Sequence, residues 1–161
     1  MTSGVDKTGH AVGKFFDVDE SKIKSSIEKY SPTNSRSQLL QKGSNKIILD
    51  AYNANPSSMK VAIENFAKAS GDNKILALGA MAELGTDSLD EHKEIIREIE
   101  KYQWKDVLLV GGDFMKTQHR FRQFANPADA GEWLKKEGVQ HAYLLVKGSR
   151  SMQMEKVLDY I

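Results

Sequence analysis

Four short apolar runs, Lys46–Asp50, Lys74–Gly79, Asp106–Gly111 and Ala142–Gly148, alternate along the chain with longer amphipathic segments. Each run is rich in Ile, Leu or Val, lacks period-2 alternation and ends in Asp or Gly. Strands buried on both faces have that pattern. The segments between them carry the helical period. Pro56–Ser70 puts Met59, Ile63, Phe66 and Ala67 on one stripe, with Asn55 as N-cap and Gly71 as stop. Asp87–Tyr102 does the same for Leu89, His92, Ile96 and Ile99, and Ser88 with Glu91 has the spacing of a capping box. Ala128–Glu137 and Met152–Ile161 supply two more helices, and Phe121–Phe124 a short additional strand. Strand and helix in alternation predict an α/β fold: Rossmann-like, with a mostly parallel sheet and helices on both faces.

The first 35 residues differ in kind. Met1–Gly4 read as tag-like residues. Asp19 is placed to cap a helix through Tyr30, with Val18 and Ile23 as a hydrophobic staple, and Pro32-Thr33-Asn34-Ser35 reads as a polar linker. The expected division is therefore 1–35, an N-terminal helical remnant of a preceding domain with its linker, and 36–161, a domain of its own. Residues 11–31 also read as an ordinary first helix packed on the same sheet. If they are a remnant, Phe15, Phe16, Ile23 and Ile27 have lost their natural partner.

Composition narrows the function classes. Among 161 residues, 23 Lys and Arg against 22 Asp and Glu give a formal charge of +1, so bulk electrostatics offers nothing to nucleic acid or an anionic membrane. Cysteine is absent, which removes disulfides, thiolate zinc sites and a cysteine nucleophile together and fits a reducing cytoplasm. No apolar run approaches the ~20 residues that span a bilayer. The polar first ten residues lack the apolar core of a signal peptide.

Three strand-to-helix junctions hold the candidate chemistry. Asp50-Ala51-Tyr52-Asn53-Ala54-Asn55-Pro56 leaves a buried strand and opens a helix, so it lies at the carboxyl edge of the sheet, where ligands of open α/β sheets bind. Asp50 can accept from a ribose diol, Tyr52 offers a ring and a phenol, and Asn53 offers the donor and acceptor that a purine edge needs. A plainer reading has Asp50 and Asn55 capping the turn and Tyr52 packing. Lys147-Gly148-Ser149-Arg150 also joins a strand to a helix, and its two cations make either a seat for a carboxylate or phosphate or a pair of solvated charges. After the second strand, Glu83 reads more readily as a loop carboxylate than as a ligand contact. His92, on an apolar stripe, reads as a buried histidine bonded to backbone rather than as a base.

Other patterns fail as chemistry. Gly9–Phe15 is one residue short of a phosphate loop and has Phe15 where Ser or Thr would hold magnesium. Gly111-Gly112-Asp113 lacks the third glycine of a dinucleotide fingerprint, and no two histidines stand at metal-ligand spacing on one helix. The chain offers no evident place of its own for a triphosphate with magnesium, and no metal site.

Ile48-Leu49-Asp50-Ala51-Tyr52-Asn53-Ala54-Asn55-Pro56-Ser57-Ser58-Met59, then Leu78-Gly79-x-Met81-x-Glu83-Leu84-Gly85 with His92, then Lys147–Met152 with Met154-Glu155, resemble in order the third domain of the Mur ligase family. The Tyr-Asn-Ala-Asn-Pro string resembles in particular the members that add D-alanyl-D-alanine to UDP-N-acetylmuramoyl-tripeptide (MurF type). The resemblance implies a Rossmann-like domain that closes over ATP and helps place the dipeptide. A first domain would hold the UDP-sugar, and a middle domain the phosphate loop and the Mg2+ ligands. It implies Arg36, Asp50, Tyr52, Asn53 and Asn55 at the nucleotide, and Lys147, Ser149 and Arg150 on the dipeptide side. It places no catalytic residue in this chain, which would be inactive without the other two domains. Many relatives carry Asp where this chain has Ala80. The alternatives are a non-catalytic Rossmann-like nucleotide-binding or interaction module, or a folylpolyglutamate synthase-like ligase domain, against which the Tyr-Asn-Ala-Asn-Pro string argues.

Overall fold

Neighbouring residues of the central strands serve opposite sides of one sheet, which divides each apolar run between two cores. The structure, a computed structural model, describes residues 10–29 and 37–161. Strands β1 (Gln38–Lys42), β2 (Asn45–Asp50), β3 (Lys74–Gly79), β4 (Asp106–Val110), β5 (Arg122–Phe124) and β6 (Tyr143–Lys147) form one sheet in the order β1-β2-β6-β3-β4-β5. β1 is antiparallel to β2, and every other pairing is parallel.

The hand of the crossovers decides where the helices lie. The connections from β2 to β3 and from β3 to β4 step in one direction across the sheet. Right-handed crossovers then put their helices, α2 (Pro56–Lys68) and α3 (Ser88–Glu100), on the same face. Met59, Ile63, Phe66 and Ile99 accordingly pack with Leu76, Leu78, Leu109 and Leu145. The connection from β5 to β6 steps back, so α4 (Pro127–Lys136) covers the other face, where Leu134, Met154 and Val157 pack with Ile75, Ala77, Leu108 and Val146. The expected α/β architecture with both faces covered is what the chain forms.

Of three local expectations one is met and two are not, and one strand is additional. Asn55 is the N-cap of α2, and its side chain accepts from the Ser58 N–H while the Ser58 hydroxyl answers the Asn55 N–H. The Ser88–Glu91 capping box does not form. A 3-10 turn over Gly85–Asp87 runs straight into α3, so Ser88 is already helical. Its hydroxyl is bonded to Asp113 instead, a carboxylate held below the usual range first by Lys116 and then by Ser88. The helix expected over Met152–Ile161 is two 3-10 stretches, Arg150–Met152 and Met154–Tyr160, joined at Gln153 in the left-handed conformation (φ 51°). Over so short a segment, apolar residues three and four apart fit either helix. Strand β1 was not foreseen. It is an edge strand reached through the tight Gly43-Ser44 turn, and its adjacent Leu39 (exposed) and Leu40 (packed) hide the alternation.

The described residues fall into two compact units, divided between Pro32 and Thr33. In the first, residues 10–15 are helical and α1 spans Glu20–Lys29. The Asp19 carboxylate accepts the Ser21 N–H at 2.9 Å together with the Ser21 hydroxyl, which lowers its pKa. Ile23 is buried over Gly13, where an added Cβ would lie 2.5 Å from its Cδ1. Phe15 and Phe16 stack edge to face at 5.1 Å and are exposed. The expected linker at Pro32–Ser35, the candidate Arg36, Gly9 and the side chain of Ile27 lie outside the described residues.

His119, near the β5 edge, gives the domain a pH dependence. Its Nδ1 accepts the Phe121 N–H at 3.1 Å, and burial pushes the imidazole below its ordinary value of 6.5. The unfolded chain therefore takes up this proton at higher pH than the folded one. The contribution is complete above 6.5 and is lost as pH falls through the depressed folded value. Thermal melts from pH 7.5 down to about 5, above the carboxylate range, should show a falling midpoint whose slope is reduced in His119→Gln. Parallel slopes in the two proteins would assign the dependence elsewhere.

Candidate functional site

β2 hands the chain to α2 on one face, whereas its neighbour β6 hands it to the C-terminal segment on the other. Between the ends of two such strands no connection crosses, and a crevice opens in which open α/β sheets bind ligands. The last residues of these strands are Asp50 and Lys147, in register with each other.

They are bonded to each other. Lys147 Nζ lies 2.7 Å from Asp50 Oδ2 and donates to the Asn53 carbonyl at 3.0 Å, and its side chain is only 2% exposed. Asp50 Oδ1 accepts the Ser37 N–H at 3.2 Å. A carboxylate offers about four lone-pair positions. Two of these are taken, which leaves two, the number a vicinal diol needs. The side chain of Asp50 is 23% exposed, and it lines a cleft of about 320 Å³ with Tyr52, Asn53, Asn55, Ser58 and Lys147. Tyr52 and Asn53 are exposed. Asn55 spends its carbonyl oxygen on Ser58 N–H and the Ser57 hydroxyl, so what it keeps for a ligand is its amide N–H2.

Lys147, Ser149 and Arg150, expected together on the acceptor side, point three ways. Lys147 turns back to Asp50. Ser149 is buried, and its N–H and hydroxyl both donate to the Ala80 carbonyl, at 3.2 and 2.8 Å. Arg150 is 61% exposed and bonded to Glu155 Oε1 at 2.7 Å. Its guanidinium has further N–H groups available. Gly79 and Gly148 make this edge tight, because a Cβ on Gly148 would meet Gly79 Cα at 3.1 Å and Met154 Cγ at 2.7 Å. Ala80 is buried, and a Cβ on Gly112 would overlap its own. A second cleft of about 380 Å³ at the same edge, between Asn126 at the cap of α4 and Ser151, Gln153 and Lys156, was missed. Its residues carry no motif and come together only in space.

His92 is fully buried, with Nδ1 2.6 Å from the Ser88 carbonyl and Nε2 accepting the Met81 N–H at 3.1 Å. Both ring nitrogens are used on backbone, so it braces the loop after β3. Glu83 is exposed and left-handed (φ 62°) in that loop. Among the described residues no group of three or more His, Asp or Glu is placed to hold a metal ion, and no helix is long and apolar enough to cross a membrane.

A family model described as "Mur ligase, glutamate ligase domain" matches residues 35–150, well over half of the chain and every junction described above. The chain belongs to the Mur ligase family. It is 30% identical over 134 residues to the UDP-N-acetylmuramoyl-tripeptide–D-alanyl-D-alanine ligase of Rickettsia prowazekii, covering 80% of this chain and 30% of that protein. The enzyme of the same name from Buchnera aphidicola is 36% identical over 121 residues, covering 71% and 26%. Among solved structures, MurF from Acinetobacter baumannii superposes with a TM-score of 0.78 at 26% identity, over 90% of this chain and 34% of that one. MurF from Thermotoga maritima, in complex with ADP, shares the fold with a TM-score of 0.77 at 22% identity. This Mur ligase chain thus spans about a third of the length of the relatives it matches.

Proposed function

We propose that this chain is the C-terminal domain of an ATP-dependent, cytoplasmic ligase that adds D-alanyl-D-alanine to UDP-N-acetylmuramoyl-tripeptide, in the synthesis of peptidoglycan. The observation that carries the reading is Asp50. It is held by Lys147 and Ser37 at the switch point of the sheet, with two acceptor positions left beside Tyr52 and Asn53. The printed names of the relatives, and the ADP bound by the Thermotoga protein, support the substrates.

In this reading residues 11–31 are the tail of the middle domain, and 36–161 the lid that closes from it. Asp50 accepts the ribose hydroxyls, Asn53 and the Asn55 amide N–H2 meet the adenine edge, Tyr52 lies against the base, and Arg36 joins them from the linker. Arg150 holds the dipeptide carboxylate or the charge that develops as its amine attacks, and Ser149 fixes the turn that presents Arg150. The reaction activates the peptide carboxylate as an acyl phosphate, which water destroys readily. A lid that excludes water and orients the amine is therefore useful. A magnesium ion for the triphosphate would be held by the middle domain, since among the described residues no group of three or more His, Asp or Glu is placed to hold one.

The test joins this chain to the first and middle domains of a family member and follows ATP-dependent phosphate release with UDP-sugar tripeptide. Release is expected with D-alanyl-D-alanine and not with single amino acids. Absence of release with D-alanyl-D-alanine or any single amino acid, from folded protein, would leave a non-catalytic binding module as the better account.

A further inference from the structure

We infer that Lys147 is the positioning residue of the nucleotide loop and makes no contact with the incoming dipeptide. The inference rests on the assignment of the nucleotide to the Asp50 cleft. Three observations carry it. The ammonium is 2% exposed, so a substrate cannot reach it without dismantling its surroundings. It is bonded to Asp50 Oδ2 at 2.7 Å and to the Asn53 carbonyl at 3.0 Å, whereas Arg150 is bonded to Glu155. Those two acceptors bracket the segment 51–53, so one cation on β6 ties the end of β2 to the loop that follows it.

The tether has a chemical purpose. Asp50 has to present particular lone pairs to a ligand, and a carboxylate free to rotate would present a different pair each time. Charge-assisted bonds are short and directional, and a buried one is not displaced by water. Lys147 fixes one oxygen, and the Ser37 N–H fixes the other. The bond to the Asn53 carbonyl holds the backbone that carries the Asn53 amide, beside Tyr52. In place of two separate half-sites, nucleotide and acceptor, the cation from the Lys147–Arg150 motif belongs to the first, and Arg150 alone to the second.

In the joined ligase, Lys147→Met keeps the apolar stem and removes the ammonium. The KM for ATP should rise about tenfold or more, the effect of one lost charge-assisted bond. The KM for D-alanyl-D-alanine should stay within about twofold, since no dipeptide-binding interaction is removed. A raised dipeptide KM with an unchanged ATP KM would overturn the inference. A second measurement covers the case in which the variant folds poorly or the ligase reading itself fails. It uses the unaltered chain, whose residues 33–161 have their own sheet and cores. The Lys147 ammonium should give a resolved nitrogen resonance, protected from rapid hydrogen exchange, that moves on adding ADP and not on adding D-alanyl-D-alanine. A rapidly exchanging ammonium, no response to ADP, or a response to the dipeptide alone would each count against the tether. Inactivity of the unaltered joined enzyme would instead count against the ligase assignment.

Discussion

Replacing Asp50 by alanine is expected to destabilise the domain by about 3–5 kcal/mol, the range for removing one partner of a buried ion pair. The ammonium of Lys147, 2% exposed beside Asp50 in the unaltered chain, would lose its charged partner and keep the Asn53 carbonyl. The reverse substitution is milder. Lys147→Met leaves a carboxylate that is 23% exposed and still accepts the Ser37 N–H, so water repairs part of the loss. Urea unfolding of the two single variants and the double variant should therefore rank Asp50→Ala below Lys147→Met in stability. The double variant should be less destabilised than the sum, because the second change removes the charge that the first one stranded. Equal single effects with an additive double would mean that the pair is solvated in solution and that its burial has no energetic consequence. The same asymmetry explains why a charged pair can persist at the edge of an otherwise apolar sheet: the lysine is expensive to leave alone.

Phe66→Ala should cost a similar amount, about 3–5 kcal/mol, through an unrelated mechanism. Phe66 is 1% exposed on α2, parallel to Trp104 at 5.9 Å and edge-on to Tyr143 at 4.9 Å. These rings join α2 to the start of β6 and to the turn before β4, and truncating one leaves a void that its rigid neighbours fill poorly. The site at the other end of the strands should not notice. Nucleotide binding by the folded fraction is expected to be unchanged in Phe66→Ala and weakened in Asp50→Ala. Calorimetry or line-shape titration with ADP, run beside the urea curves, separates the two. Loss of ADP binding in folded Phe66→Ala would show that the core and the cleft are coupled.

Much of the architecture could be read from the chain because it depends on short-range chemistry. All four apolar runs form strands, and β3, β4 and β6 are buried on both faces as expected, whereas β2 alternates, with Lys46 exposed and Ile48 and Asp50 half-buried. Asn55 before a proline-led apolar stripe is a cap because its side chain reaches the Ser58 N–H within the same turn. His92 on an apolar stripe reads as a buried structural histidine, and it is one. The failures share a cause too. Ser88 and Glu91 have the right spacing for a cap, but Asp113, twenty-five residues away, takes the Ser88 hydroxyl. β1 has too few apolar positions to declare itself, and it exists because β2 offers it an edge.

The sequence by itself determined which segments are the parallel strands, that β3, β4 and β6 are buried on both faces, and that the candidate chemistry gathers at the carboxyl ends. Periodicity and local hydrogen-bonding capacity suffice for that. Only the tertiary structure decided which of those ends are neighbours. β2 and β6 are separated by nearly a hundred residues, and nothing local says that Asp50 will stand opposite Lys147. The order of strands across the sheet put them together, and the low exposure of that edge then left the ammonium with no partner but Asp50 and the Asn53 carbonyl. Residue types announce what a side chain can do. Which partner claims it depends on the packing of the whole sheet, and so Lys147 belongs to Asp50 and not to Arg150, its neighbour in sequence.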